Sequence, residues 1–241
     1  MKDIKETKQT IAFILPNLLT SASIFSGVFS IINAIAHNFE DAAWLIFLAL
    51  IFDGLDGRVA RLTNSCSKFG VEFDSLADIV SFGVAPAMLL YLFAGEEYGR
   101  FGVVVSALYV IFGAIRLARF NVMSSSSEPS VFIGVPIPTA AVFISLLVLL
   151  LHKYSFQSGA LVLLVLSIFV SLLMVSNIRY PSFKKVDLDK KNIRRIFIAV
   201  TALFLVIFIY PIEGIVLVFS LYILYGPLRT LYTMSRMKRS S

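Results

Sequence analysis

Eight separate stretches of this chain are apolar over about the length, roughly 20 residues, that a helix needs to cross the hydrocarbon core of a bilayer. They run approximately over 11–36, 41–62, 73–95, 100–122, 137–152, 158–178, 193–210 and 212–233. A soluble domain of 241 residues has no interior large enough to hide so much hydrocarbon, so lipid is the expected solvent. Composition agrees: 58% of residues are hydrophobic and 15% charged, against about 45–50% and 25% in an average soluble domain. Segments such as Ala160–Val175 are apolar throughout but for Ser167 and Ser171, whereas the strands of a membrane barrel alternate in pieces of about 10 residues. The expected fold is therefore all-α, a polytopic membrane helical bundle of about eight transmembrane helices. With no repeat, low-complexity tract or second soluble region, residues 1–241 are expected to form a single domain.

An even number of spans puts both termini on one side, and the distribution of Lys and Arg says which. With the N-terminus cytoplasmic, nineteen of the 21 basic residues fall on the inner side, leaving Arg100 and Lys153 outside with His37, His152 and the acids Glu40, Asp41, Glu96, Glu97 and Glu213. The net charge of +6 is thus largely a topology signal, and nucleic acid is not an expected partner because the basic residues sit in loops with no domain to organise them. The basic run from Arg179 to Arg195 reads as a solvated cytoplasmic loop, and Lys2 to Lys8 as a short helix on the membrane surface. Met1–Thr10 is charged and lacks a small-residue cleavage site, which argues against a removable signal peptide. The single cysteine, Cys66, excludes an internal disulfide and reads as a small loop residue.

The apolar pattern breaks most sharply across the second and third stretches, where Asp53, Asp56, Asp74 and Asp78 interrupt membrane helices. An ionised Asp at a helix centre costs roughly 2.5 to 3.5 kcal/mol, so these four must lie near an interface or be neutralised. Asp53 and Asp56 are spaced i, i+3 and Asp74 and Asp78 i, i+4, so each pair shares a helix face. Joined by a short turn, the two helices run antiparallel, and the pairs can face each other across a gap that suits hard divalent cations and phosphate oxygens. Gly54, Gly57, Ala60 and Gly70 leave room for a ligand or a neighbouring helix. The purely structural alternative has Asp74 capping the third span and Asp53 paired with Arg116.

These residues resemble the signature of the CDP-alcohol phosphotransferase family, D-x-x-D-G-x-x-A-R, eight residues, then G-x-x-x-D-x-x-x-D. Asp53, Asp56, Gly57, Ala60, Arg61, Gly70, Asp74 and Asp78 match it with every gap kept. Pro16–Thr20, Ser81–Pro86, Arg116–Asn121 and Gly134–Pro138 are similar to softer cues of the branch whose acceptor alcohol is serine, so the likeness covers approximately residues 11 to 140. The resemblance implies an enzyme in which the L-serine hydroxyl attacks the diacylglycerol-linked phosphorus of CDP-diacylglycerol, expelling CMP. It implies Asp53, Asp56 and Asp74 as metal ligands, with Asp78 as general base and also a candidate ligand. Two divalent ions are implied, Mg²⁺ or Mn²⁺ with Ca²⁺ as a further option, because a diphosphate would otherwise be repelled by four carboxylates.

Gly57, Ala60 and Arg61 would face the nucleotide, with Arg61 holding the diphosphate. Asn17, just after the helix-disrupting Pro16, is a candidate for the cytosine or ribose, and Ser67 with Lys68 for phosphate. Arg116 and Arg119 share a face of the fourth span and suit the serine carboxylate or the lipid phosphate. Pro86, Pro136 and Pro138 are expected to bend or start helices. The implied setting is the inner cell membrane, with the active site toward the cytoplasm, membrane lipids as neighbours and a homodimer as an expected assembly. Two other readings stay open: the same enzyme core with another acceptor alcohol, and a cation channel or transporter. A channel would place polar residues across the whole membrane, whereas the four acids cluster at one end.

Overall fold

A computed structural model of the chain describes residues 2–124, 131–156, 159–181 and 205–240. Seven of the eight expected stretches are helices among the described residues. They are α1 (Lys2–Ile35), α2 (Phe39–Leu62), α3 (Lys68–Tyr98), α4 (Arg100–Ser124), α5 (Ile137–Lys153), α6 (Ala160–Val175) and α7 (Pro211–Ser240). Most of the remaining stretch, 193–210, lies outside the described residues, as do Lys184 to Arg195. Among the described helices, four are long and apolar enough to cross a membrane on their own: Ile14–Ile35, Lys68–Tyr98, Arg100–Met123 and Pro211–Thr230. Helix α2 has the length, with 24 residues, but carries Glu40, Asp41, Asp53, Asp56, Arg58 and Arg61. At about 1.5 Å per residue, α5 and α6, with 17 and 16 residues, reach only part of the way across a core of about 30 Å. The chain is an integral membrane protein, with large apolar side chains such as Phe25, Val103, Phe120 and Leu172 facing outward.

One expectation changes: Lys2 to Lys8 do not form a separate surface helix; they are continuous with α1. The fold is helical as expected, with one short antiparallel pair added, β1 (Val131–Ile133) with β2 (Arg179–Pro181), in which Phe132 pairs in register with Tyr180. Segments of three residues show no periodicity from which a strand could be read.

Helix α1 packs along α2, α2 against α5, α4 against α6, and α5 against both α6 and α7. The crossing of α1 over α3 is close and polar. A Cβ on Gly27 would meet the Ser81 Cα at 2.8 Å, so only glycine lets the backbones approach this far. The Ser81 hydroxyl donates to the Ser23 carbonyl at 2.9 Å, and the Ser30 hydroxyl joins α1 to α2 by donating to the Ala42 carbonyl at 2.7 Å.

Helix α3 is not regular. A π-helical turn, Ile79–Val84, follows Asp78 directly, and a second occupies Tyr91–Gly95. Pro86 has no N–H to offer the Phe82 carbonyl four residues back, and Tyr109, fully buried on α4, donates its hydroxyl to that carbonyl at 3.1 Å. The tyrosine thus replaces the bond that proline removes and locks α4 to α3 close to the acids.

Candidate active site

Helix α2 starts after Asn38 with Glu40 and Asp41 in its first turn and ends with Arg61 in its last, each charge favourable to the helix dipole. The chain then reverses through Thr63–Ser67, helped by a left-handed Asn64 (φ 50°) and a 2.7 Å bond between the hydroxyls of Thr63 and Ser65. Ser67 caps α3, its Oγ accepting from the Gly70 N–H at 3.0 Å. That leaves Asp74 well inside α3, which removes it as the cap of that helix. The ion pair expected under the same alternative, Asp53 with Arg116, is also absent: the one salt bridge among the described residues is Lys153–Glu213.

The reversal brings both acidic pairs together. Carboxylate oxygens of Asp53, Asp56 and Asp74 all lie within 4.8 Å of one another. Asp78 joins them from the next turn of α3, where its carboxyl contacts that of Asp53. Asp56 and Asp78 are buried, at 5% and 9% exposure. The Oδ1 atoms of Asp74 and Asp78 are enclosed without a hydrogen-bond partner. Orphaned carboxylate oxygens are costly in an apolar setting, and four acids this close repel one another. Both costs are relieved by a divalent cation, which takes oxygen ligands, so this donor set fits such an ion. Asp53, Asp56 and Asp74 are the residues able to hold it.

A cleft of about 190 Å³ opens beside the acids. Its walls include Asp56 and Asp74 together with Asn17, Gly57, Ala60, Arg61 and Ser67, so every residue expected to face the nucleotide or phosphate except Lys68 lines one space. A side chain on Gly57 would reach toward the Arg61 guanidinium, 3.4 Å from its Cβ, and narrow that space. Lys68 is exposed at the start of α3 and is not on this wall. Pro16, Ser65, Cys66 and Val71 also line the cleft, Cys66 with its thiol exposed.

One residue escapes sequence reasoning. Thr20 of α1 is buried at 4% exposure and donates its hydroxyl to Asp56 Oδ2 at 2.6 Å. The same hydroxyl lies 3.1 Å from the Pro16 carbonyl, but its single proton favours the shorter, charge-assisted contact. Its place at the end of the Pro16–Thr20 segment was the available signal; nothing in the spacing shows that it meets α2.

Arg116 and Arg119, one turn apart on α4, part company. Arg116 is 7% exposed, lies with its guanidinium carbon 5.5 Å from the Phe120 ring centroid, and acts electrostatically on Asp78. Arg119 turns instead to backbone carbonyls at the end of α6.

Comparison with known proteins agrees with this geometry. Residues 13–173 match the family model described as CDP-alcohol phosphatidyltransferase. A Helicobacter pylori (strain 26695) protein named CDP-diacylglycerol–serine O-phosphatidyltransferase is 52% identical over 224 residues, 92% of this chain and 93% of that protein. An archaetidylserine synthase of Methanothermobacter thermautotrophicus is 41% identical over 180 residues, 74% of each chain. A Bacillus subtilis protein, again named CDP-diacylglycerol–serine O-phosphatidyltransferase, is 36% identical over 171 residues, 71% of this chain and 92% of its own. With the family model spanning the whole acidic constellation and the helices around it, the chain belongs to the CDP-alcohol phosphatidyltransferase family.

Proposed function

We propose that this chain transfers the phosphatidyl group of CDP-diacylglycerol to the hydroxyl of L-serine, releasing CMP and forming phosphatidylserine. The observation that carries this reading is the 52% identity, over 92% of the chain, to a relative named for that reaction. The archaetidylserine synthase likeness also points to serine as the acceptor, with a different lipid donor. The whole chain serves as one domain, in the inner membrane, with both termini and the acidic site toward the cytoplasm. That orientation is supported by the distribution of Lys and Arg.

The roles follow from the chemistry of each group. Asp53, Asp56 and Asp74 would hold divalent metal, Mg²⁺ or Mn²⁺, which supplies positive charge to the diphosphate when bound. Asn17 meets the nucleotide, and Arg61 and Ser67 hold diphosphate oxygens by charge-assisted bonds. Gly57 and Ala60 keep the cleft open. Arg116 is buried, and no hydrogen bond from it is found among the described residues. A guanidinium in that condition is ready to bind a carboxylate through two parallel N–H donors, and serine supplies one. Asp78, beside Arg116, takes the proton of the serine hydroxyl. The serine oxygen then forms its bond to the diacylglycerol-linked phosphorus as the bond from that phosphorus to the CMP oxygen breaks.

The test is purified protein in detergent with CDP-diacylglycerol, a divalent metal and a panel of alcohols, following CMP and the lipid product. CMP release with serine supports the proposal. Product from glycerol 3-phosphate in its place would move the chain to another branch of the family.

A further inference from the structure

The two arginines of α4 differ in what their donors meet. Nη1 of Arg119 donates to the Val175 carbonyl at 3.0 Å and to Asn177 Oδ1 at 3.3 Å. Nη2 is shared among the carbonyls of Ser176 at 3.1 Å, Met174 at 3.4 Å and Ile133 at 3.4 Å. Each terminal nitrogen carries two protons, so Nη1 and Nη2 are fully engaged and only the Nε–H remains, too little for a two-point bond to a substrate carboxylate. Met174 and Val175 are in the last turn of α6 and Ser176 is its cap, where carbonyls have no partner within the helix and the helix dipole is negative. Ile133 belongs to β1, whose exit is seated on the same helix end. Gly134 donates its N–H to the Ile178 carbonyl at 2.9 Å and Val135 to that of Leu173 at 3.2 Å. Gly134 is left-handed (φ 73°), and an added Cβ would collide with the Met174 carbonyl that Arg119 also reaches.

We propose that Arg119 is a positioning residue. Its guanidinium clamps the carboxyl end of α6 and the exit of β1 onto α4, and so holds Arg116, one turn earlier, within electrostatic reach of Asp78. On the other side of α4, Asn121 donates to Ser75 Oγ at 2.9 Å, next to Asp74, so the end of α4 is braced between the clamp and the acidic helix. The proposal rests on the reading of Arg116 and Asp78 as acceptor-binding and proton-accepting groups.

The full chain in detergent is compared as wild type, R116A, R119A, R119K, G134A and the R119A/G134A double variant. Hydrogen exchange is followed in segments 131–136 and 173–180, together with KM and kcat for serine. R119A and G134A should each speed exchange in both segments about tenfold and lower kcat/KM for serine, while R116A leaves exchange at the wild-type rate. Because both act on one clamp, the double variant should be within about twofold of the weaker single variant. R119K, with three donors on one nitrogen and no fork, should fall between wild type and R119A in exchange; it takes the place of R119A if that protein does not fold. Wild-type exchange in R119A or R119K, or losses that multiply in the double variant, would overturn the clamp and make Arg119 a ligand of serine. A wild-type protein that releases no CMP with serine would instead sink the proposed reaction, and the exchange data would still judge the clamp.

Discussion

Replacing Thr20 with valine keeps the size and β-branching of the side chain and deletes one hydroxyl. That hydroxyl donates to Asp56 Oδ2 at 2.6 Å, inside the range of a bond to a charged acceptor, and Asp56 is only 5% exposed, so water has little access to replace it. A hydrogen bond to a charged group contributes about 1.5–3 kcal/mol, which corresponds to about 10- to 150-fold in an equilibrium. The bond occupies one carboxylate oxygen and orients the other, and loss of such a support weakens metal binding by about 10- to 100-fold. Thr20→Val should therefore raise the dissociation constant for Mn²⁺ by at least about tenfold, read directly from the free-ion signal in an electron paramagnetic resonance titration. Thr20→Ser, which keeps the hydroxyl, should restore most of the affinity. If Thr20→Val binds Mn²⁺ as the wild type does while its thermal unfolding is unchanged, the hydroxyl does not organise the metal ligands and the argument fails.

Asp78→Asn should lower kcat by about 10²- to 10⁴-fold, the usual worth of a positioned base, and leave Mn²⁺ titrating against the Asp53, Asp56 and Asp74 trio; loss of both would identify Asp78 as a ligand first. Arg116→Ala should raise the KM for serine by about 10- to 100-fold, as expected for a lost charge-assisted contact, with little change in that for CDP-diacylglycerol; the reverse pattern would assign Arg116 to the lipid phosphate. Tyr109→Phe strips the donor from the Phe82 carbonyl beneath Pro86. A buried, unsatisfied carbonyl costs about 1–3 kcal/mol, so thermal unfolding in detergent should shift down, and an unchanged midpoint would show that α3 satisfies its own carbonyl.

The chain order and chemistry of the acidic helices were legible because helical periodicity is local. Spacings of three and four fix which carboxylates share a face, and a five-residue connection forces α2 and α3 to return past each other, so the Asp53, Asp56 and Asp74 cluster follows from residues less than 30 positions apart. The apolar runs likewise announce a membrane bundle, since burial in lipid is a property of composition. Other features depended on contacts between segments distant in sequence. Thr20 reaches Asp56 across 36 residues and Arg119 reaches Val175 across 56, distances over which periodicity says nothing. The spacing of Arg116 and Arg119 placed them on one face, yet a long arginine side chain can turn toward whatever neighbour packs there; it took α6 to draw one of them away from the acids. In the same way Pro86 marked a break in α3, but only the arrival of Tyr109 from α4 decided how the freed carbonyl is satisfied. Local geometry set the chemistry available to this protein, and the packing of distant helices decided which of its charged groups are free to use it.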